Sequence, residues 1–160
     1  MREARPAGTV TFLFTDIEGS TRRWETDAEA MRSALAVHDV TLAAVIAAHA
    51  GWLFKHTGDG VCAAFSSPHA AVDAAVEAQR LLELPVRMGI ATGVAELRGD
   101  DYFGPALNRA ARVMAAGHGG QIVVAASTSG LLDGVPLVDL GEHRLRDLSG
   151  TQHLFAVRTR

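Results

Sequence analysis

The chain has 160 residues, 48% of them hydrophobic and 21% charged, with a formal net charge of −3. This balance predicts one folded domain spanning 1–160, excludes wholesale disorder, and argues against a protein that coats nucleic acid. With Cys62 as the single cysteine there is no intrachain disulfide framework and no four-cysteine zinc site. No run reads as a bilayer span and the first residues lack the apolar core of a signal peptide, so the expectation is a cytoplasmic chain with no membrane segment.

Residues 9–16, Thr-Val-Thr-Phe-Leu-Phe-Thr-Asp, are β-branched and aromatic and predict a strand buried on both faces or nearly so. Ile17-Glu18-Gly19-Ser20-Thr21 suits a turn into a helix N-terminus. From about Asp27 to Ala50, Met31, Leu35, Val37, Leu42, Val45 and Ile46 lay an apolar stripe at helical spacing, with Gly51 as the stop. Trp52–Thr57 and Val61–Phe65 read as strands flanking Gly58-Asp59-Gly60, a hairpin signal. Pro68 opens a helix to about Leu82. A strand with two glycines covers 86–95, a polar loop follows at Arg98–Asp101, and a helix runs from about Gly104 to Ala116. A strand at 121–125, a short helix near 127–132 and weak strands near 136–146 and 153–158 complete the chain. The order predicts an α+β fold: a ferredoxin-like βαββαβ core with a small C-terminal αβ extension.

Asp16 ends the first strand and Asp59 sits at the hairpin tip. In a split βαβ sheet these are neighbours, so the two carboxylates can meet at one edge. Hard divalent cations take oxygen ligands, often one or two carboxylates plus substrate phosphates, and paired ions suit in-line phosphoryl displacement. Taken singly, Asp59 also fits a turn and Asp16 a helix cap. The Ile17–Thr21 turn offers backbone amides and the Ser20 and Thr21 hydroxyls to an anion, or an ordinary cap. Asn108 and Arg112, four apart on a helix, share a face that suits a sugar and a charged phosphate, or solvent. Lys55 is an odd charge in a β-prone run; with an aspartate it can read a purine edge, and alone it fits an exposed strand.

Together these residues resemble the catalytic domain of class III nucleotidyl cyclases, the adenylate cyclases of the compact bacterial subgroup in particular, over roughly 9–157. The motifs are Phe14-Thr-Asp16-Ile-Glu-Gly-Ser-Thr21, Lys55-His-Thr-Gly-Asp59-Gly, and Asp101-Tyr-Phe-Gly followed by Asn108 and Arg112. The resemblance implies a phosphorus–oxygen lyase that converts ATP to 3′,5′-cyclic AMP and pyrophosphate. Asp16 and Asp59, with the Ile17 carbonyl, would bind two Mg²⁺ or Mn²⁺ ions, one lowering the pKa of the attacking hydroxyl and one neutralising the leaving oxygens. Lys55 and Asp101 would select adenine, Asn108 would orient the ribose, and Arg112 would stabilise charge at the α-phosphate. Phe14, Glu18, Gly19, Ser20, Thr21 and Gly58 flank these positions as substrate-binding candidates. Arg144 and Arg146 both match a basic tail residue near the triphosphate. The family's sites form between two protomers, implying a homodimer with composite sites. Guanylate cyclases typically carry glutamate and a small residue at the purine pair, so Lys55 and Asp101 point to ATP. The alternative is a catalytically silent module that binds nucleotide or dimerises in signalling.

Other residues read as structural. No histidine pair has the spacing of a helical zinc site. His38, His49, His69, His118, His143 and His153 fit surface or capping roles, while His56, between Lys55 and the hairpin tip, fits either a structural role or contact with the site. Cys62 reads as a small buried residue, and Trp24 and Trp52 as packing anchors.

Overall fold

The structure, a computed structural model, describes residues 5–159. Strand β1 (Gly8–Ile17) is followed by helices α1 (Ser20–Thr26) and α2 (Ala28–Ala48), the β2 (Trp52–His56) and β3 (Val61–Phe65) hairpin, and α3 (Pro68–Leu81). Then come β4 (Val86–Arg98), β5 (Asp101–Phe103), α4 (Pro105–Ala115), β6 (Ile122–Ala125), α5 (Ala126–Ser129), β7 (Leu137–His143) and β8 (Gln152–Val157). The sheet order is β2-β3-β1-β4-β6-β8-β7, with β5 on β4. β1 pairs antiparallel with both β3 and β4, and β4 pairs parallel with β6. This is the ferredoxin-like core with its C-terminal extension.

Period-two alternation gives each face of the sheet its own core. Leu13 and Ile17 of β1 join Val86, Met88 and Ile90 of β4 beneath α2 and α3. Val10 and Phe12 of β1 join Ala91 and Ala95 of β4 beneath α4. Phe12, Phe54, Trp52 and Tyr102 interlock on that second face, with ring centroids 4.9–6.0 Å apart. Buried hydroxyls join Thr11, Thr92 and Thr128 at 2.9 and 2.8 Å, so these polar groups have partners.

The two glycines of β4 let α4 approach. A Cβ on Gly89 would lie 2.4 Å from the Met114 backbone nitrogen, and one on Gly93 would lie 3.0 Å from Ala106 Cβ. Glycine here serves contact between layers more than strand flexibility.

Four expectations are corrected. The helix expected from Asp27 is preceded by a separate one, α1; Asp27 caps α2, its carboxylate accepting from Ala30 N at 3.1 Å. The left-handed residue closing α2 is Ala50, at φ 63, while Gly51 is bare because a Cβ would meet the Phe65 ring at 2.5 Å. His38 is not a surface group: it is 2% exposed, bonded through Nδ1 to Asp39 at 2.8 Å, with Nε2 buried and unpartnered among the described residues. Finally, α2 is long and apolar enough to cross a bilayer by length and composition, with a stretch of mean hydropathy 1.4. Here it buries Met31, His38, Leu42, Val45 and Ile46 within the protein.

Candidate active site

Asp16 lies at the C-terminal end of β1, in the alternation that places Phe12 and Phe14 on the α4 face. Directly opposite it in the β1–β4 register stands Arg87. The guanidinium forks onto the carboxylate, Nε donating to Oδ1 at 2.7 Å and Nη2 to Oδ2. The hydrogen bond to Asp16 raises the pKa of Arg87, and the charges of Glu18 and Asp59 add to that shift. Ile17 buries its side chain in the α2–α3 core, leaving only its backbone for the site.

Asp59 reaches the same end of the sheet through the hairpin. Gly58 turns the chain at φ 87 and Thr57 N donates to Gly60 O at 3.0 Å. A Cβ on Gly60 would sit 1.7 Å from the Thr15 carbonyl oxygen, and Val61 N donates to Thr15 Oγ1 at 3.1 Å. Glycine thus lets the tip press on the end of β1. The Ser20 hydroxyl then donates to Asp59 Oδ2 at 2.9 Å, joining the first turn of α1 to the hairpin.

The other turn residues have structural partners. Gly19 takes a left-handed φ of 70 as the N-cap of α1, with no side-chain cap. Glu18 accepts from Gly119 N at 2.9 Å and its own N–H donates to Pro85 O at 2.8 Å, pinning the α4–β6 loop and the α3–β4 loop. Thr21 is exposed. Phe14 packs edge-on to Phe12, centroids 6.3 Å apart.

Lys55 and Asp101 form a second group. A bulge between Leu53 and Lys55 sets Lys55 opposite Cys62, and Cys62 opposite Phe14. The extra residue shifts the alternation, so Lys55 faces the α4 side. Its ammonium donates to Asp101 Oδ2 at 3.0 Å, while Asp101 Oδ1 accepts from Tyr102 N at 2.8 Å. The lysine holds the Asp101 carboxyl below its ordinary value. Burial pushes the neighbouring Cys62 thiol up to about 11, so it stays protonated. His56 is exposed at the end of β2.

On α4, the buried stripe of Ala106, Ala110 and Val113 leaves Asn108 exposed and Arg112 half-buried. Arg112 Nη2 donates to Asp147 Oδ2 at 2.6 Å, and its Nε is buried without a partner among the described residues. Asp147 lies in the β7–β8 loop at φ 65. It brings the segment carrying Arg144 and Arg146, both exposed, to the side of α4. Among the described residues, no hydrogen bond or ion pair joins Asp16 or Asp59 to Lys55, Asp101, Asn108 or Arg112, although Arg87 Nη1 reaches the Ala115 carbonyl at the end of α4 at 3.4 Å.

The sequence reading omitted Arg87 and Asp147. Arg87 is detectable only once β1 and β4 are in register, 71 residues apart. Asp147 sits in a loop whose path the sequence does not dictate.

Among the described residues no group of three or more His, Cys, Asp or Glu side chains is placed to hold a metal. The donor set expected from the sequence is the Asp16 and Asp59 carboxylates with the Ile17 carbonyl. That fits a hard cation completing its shell with water or phosphate oxygens, and does not fit zinc.

Residues 69–158 match the family model described as the adenylate and guanylate cyclase catalytic domain. An uncharacterised Mycobacterium tuberculosis protein is 41% identical over 152 residues, covering 89% of this chain and 53% of its own. A receptor-type adenylate cyclase of Trypanosoma brucei brucei is 30% identical over 174 residues, covering 76% of this chain and 30% of its own. The chain thus spans about half the length of the first of these curated relatives, and less of the second. A solved structure of a Trypanosoma brucei adenylate cyclase in its monomeric state superposes with a TM-score of 0.90 at 26% identity, covering 96% of this chain and 90% of that one.

Proposed function

This chain belongs to the adenylate and guanylate cyclase catalytic domain family, and on that premise we propose that it is an adenylate cyclase that forms cyclic AMP and pyrophosphate from ATP at sites shared between two copies. The observation that carries the reading is the Lys55–Asp101 pair at 3.0 Å. Adenine presents an amino donor beside a ring-nitrogen acceptor; guanine presents the reverse order. A carboxylate beside an ammonium matches the adenine order, and a mismatched edge would leave polar groups unpaired.

Asp16, Asp59 and the Ile17 carbonyl would hold Mg²⁺ or Mn²⁺, which when bound supplies Lewis-acid polarisation of the reacting oxygens. The Ile17–Thr21 turn and one of the two arginines of the β7–β8 loop, Arg144 or Arg146, supply N–H donors for the triphosphate. Asn108 holds the ribose so that its 3′-oxygen faces the α-phosphorus. The 3′-oxygen–phosphorus bond forms as the bond to the pyrophosphate oxygen breaks, and the 3′-hydroxyl proton passes to solvent water. Arg112 donates to the α-phosphate oxygens, where charge grows in the transition state. The rest of the rate comes from alignment.

That no hydrogen bond joins Asp16 or Asp59 to Lys55, Asp101, Asn108 or Arg112 within the described residues of one chain is consistent with composite sites. In a twofold dimer the Asp16–Asp59 end of one copy would face Lys55, Asp101, Asn108 and Arg112 of the other. The second reading, a silent nucleotide-binding module, is favoured by one observation: both oxygens of Asp16 are held by Arg87.

The test is product formation from ATP and, separately, from GTP, with Mg²⁺ or Mn²⁺, across a protein dilution series. Cyclic AMP from ATP alone, with specific activity falling on dilution, is the expected result. A folded protein that binds ATP and metal but yields no cyclic product supports the silent module.

A further inference from the structure

The Asp16–Arg87 pair places a cation where the proposed metal has to go. Arg87 is set opposite Asp16 by the sheet register. The two side chains are 26% and 17% exposed, and the guanidinium occupies both carboxylate oxygens. Its remaining Nη1 rests on the Ala115 carbonyl at 3.4 Å, on the last residue of α4. Carboxylates brought to one end of a sheet repel unless a positive charge sits among them. A planar fork on a carboxylate makes two parallel charge-assisted hydrogen bonds, which a point charge such as lysine does not reproduce.

We infer that Arg87 is the resident counter-cation of the metal site: it holds Asp16 in the metal-free chain and must release that carboxylate before a divalent ion can take it. The inference rests on reading Asp16 and Asp59 as metal ligands. Its consequence is thermodynamic. If Asp16 is free only in a minor fraction of molecules, the apparent metal affinity is reduced by that fraction. Arg87 therefore sets how much metal the free protein needs, and keeps the site from closing on an adventitious ion.

The experiment measures Mn²⁺ binding to the nucleotide-free protein, following unbound Mn²⁺ by electron paramagnetic resonance, for the parent chain, Arg87→Gln and Asp16→Asn. Arg87→Gln is expected to bind Mn²⁺ about tenfold more tightly, the scale of one partly exposed charge-assisted pair. Asp16→Asn is expected to lose the site. Unchanged affinity in Arg87→Gln, with binding lost in Asp16→Asn, overturns the counter-cation role and leaves the metal reading standing. Parent-like binding in Asp16→Asn overturns the metal reading and this inference with it. A second measurement on the parent chain guards against a misfolded variant. The ¹⁵N–¹H signal of Arg87 Nε should move with added Mg²⁺ and saturate with it; a signal that stays fixed at saturating Mg²⁺ overturns the inference.

Discussion

Lys55 reaches Asp101 only because β2 carries an irregularity after Leu53; in a regular strand its side chain would leave by the opposite face. The pair that would read the purine therefore depends on one extra residue as much as on its own two charges. Exchanging both partners, Lys55→Glu with Asp101→Cys, should move the preference from ATP toward GTP by at least about tenfold, read as the ratio of cyclic products. The pair also has an acid signature. Lys55 depresses the Asp101 pKa from its ordinary 3.8. The contact thus adds stability above that ordinary value, and loses it as pH falls through the depressed one. The side chains are 47% and 36% exposed, so solvent screening keeps the effect small. Carboxyl ¹³C titration should place Asp101 below 3.8 in the parent chain and return it toward 3.8 in Lys55→Met.

Among elements, the β4–α4 contact is tightly constrained. Gly89→Ala would drive a methyl into the Met114 backbone, and overpacking of this kind costs about 1–3 kcal/mol. Urea unfolding should show that loss, with activity falling further because α4 carries Asn108 and Arg112. Gly130→Ala, at φ −69 with nothing near, is the control expected to be neutral. Strands β1, β3 and β4 and helices α2, α3 and α4 were legible in the sequence through their apolar residues and the Pro, Gly or Asx signals at their ends, whereas α1, which buries no residue, and the three-residue β5 were not. Asp16, Asp59, Lys55, Asp101, Asn108 and Arg112 stand out by their motifs as candidates, and the structure brings Lys55 and Asp101 together. What the sequence hid are features that exist only between elements. Arg87 meets Asp16 through strand pairing, Asp147 meets Arg112 through a loop path, and the β2 bulge is invisible without its partner strand. His38 was misread because the polar residue falls on the buried stripe of α2, where helical periodicity expects an apolar one.

At the scale of the whole molecule, the sites proposed for a pair of chains predict complementation. Asp16→Ala and Arg112→Ala should each be inactive alone. Mixed in equal amounts and allowed to exchange, they should recover about a quarter of the parent activity, since half the dimers are mixed and each keeps one intact site. Recovery absent in verified mixed dimers would defeat the shared-site arrangement. The two faces of the sheet carry a division of labour of their own into the gene. Along β1, Phe12, Phe14 and Asp16 address the α4 side while Leu13, Thr15 and Ile17 address the other; β4 repeats this with Arg87, Gly89 and Ala91 against Val86, Met88 and Ile90. A saturation scan scoring abundance and turnover separately should therefore alternate codon by codon at the end of β1. Substitutions at Thr15 and Ile17 should deplete the protein, whereas those at Asp16 should leave a well-populated chain that no longer makes product. Two selective pressures would be interleaved in one strand at the spacing of the pleat.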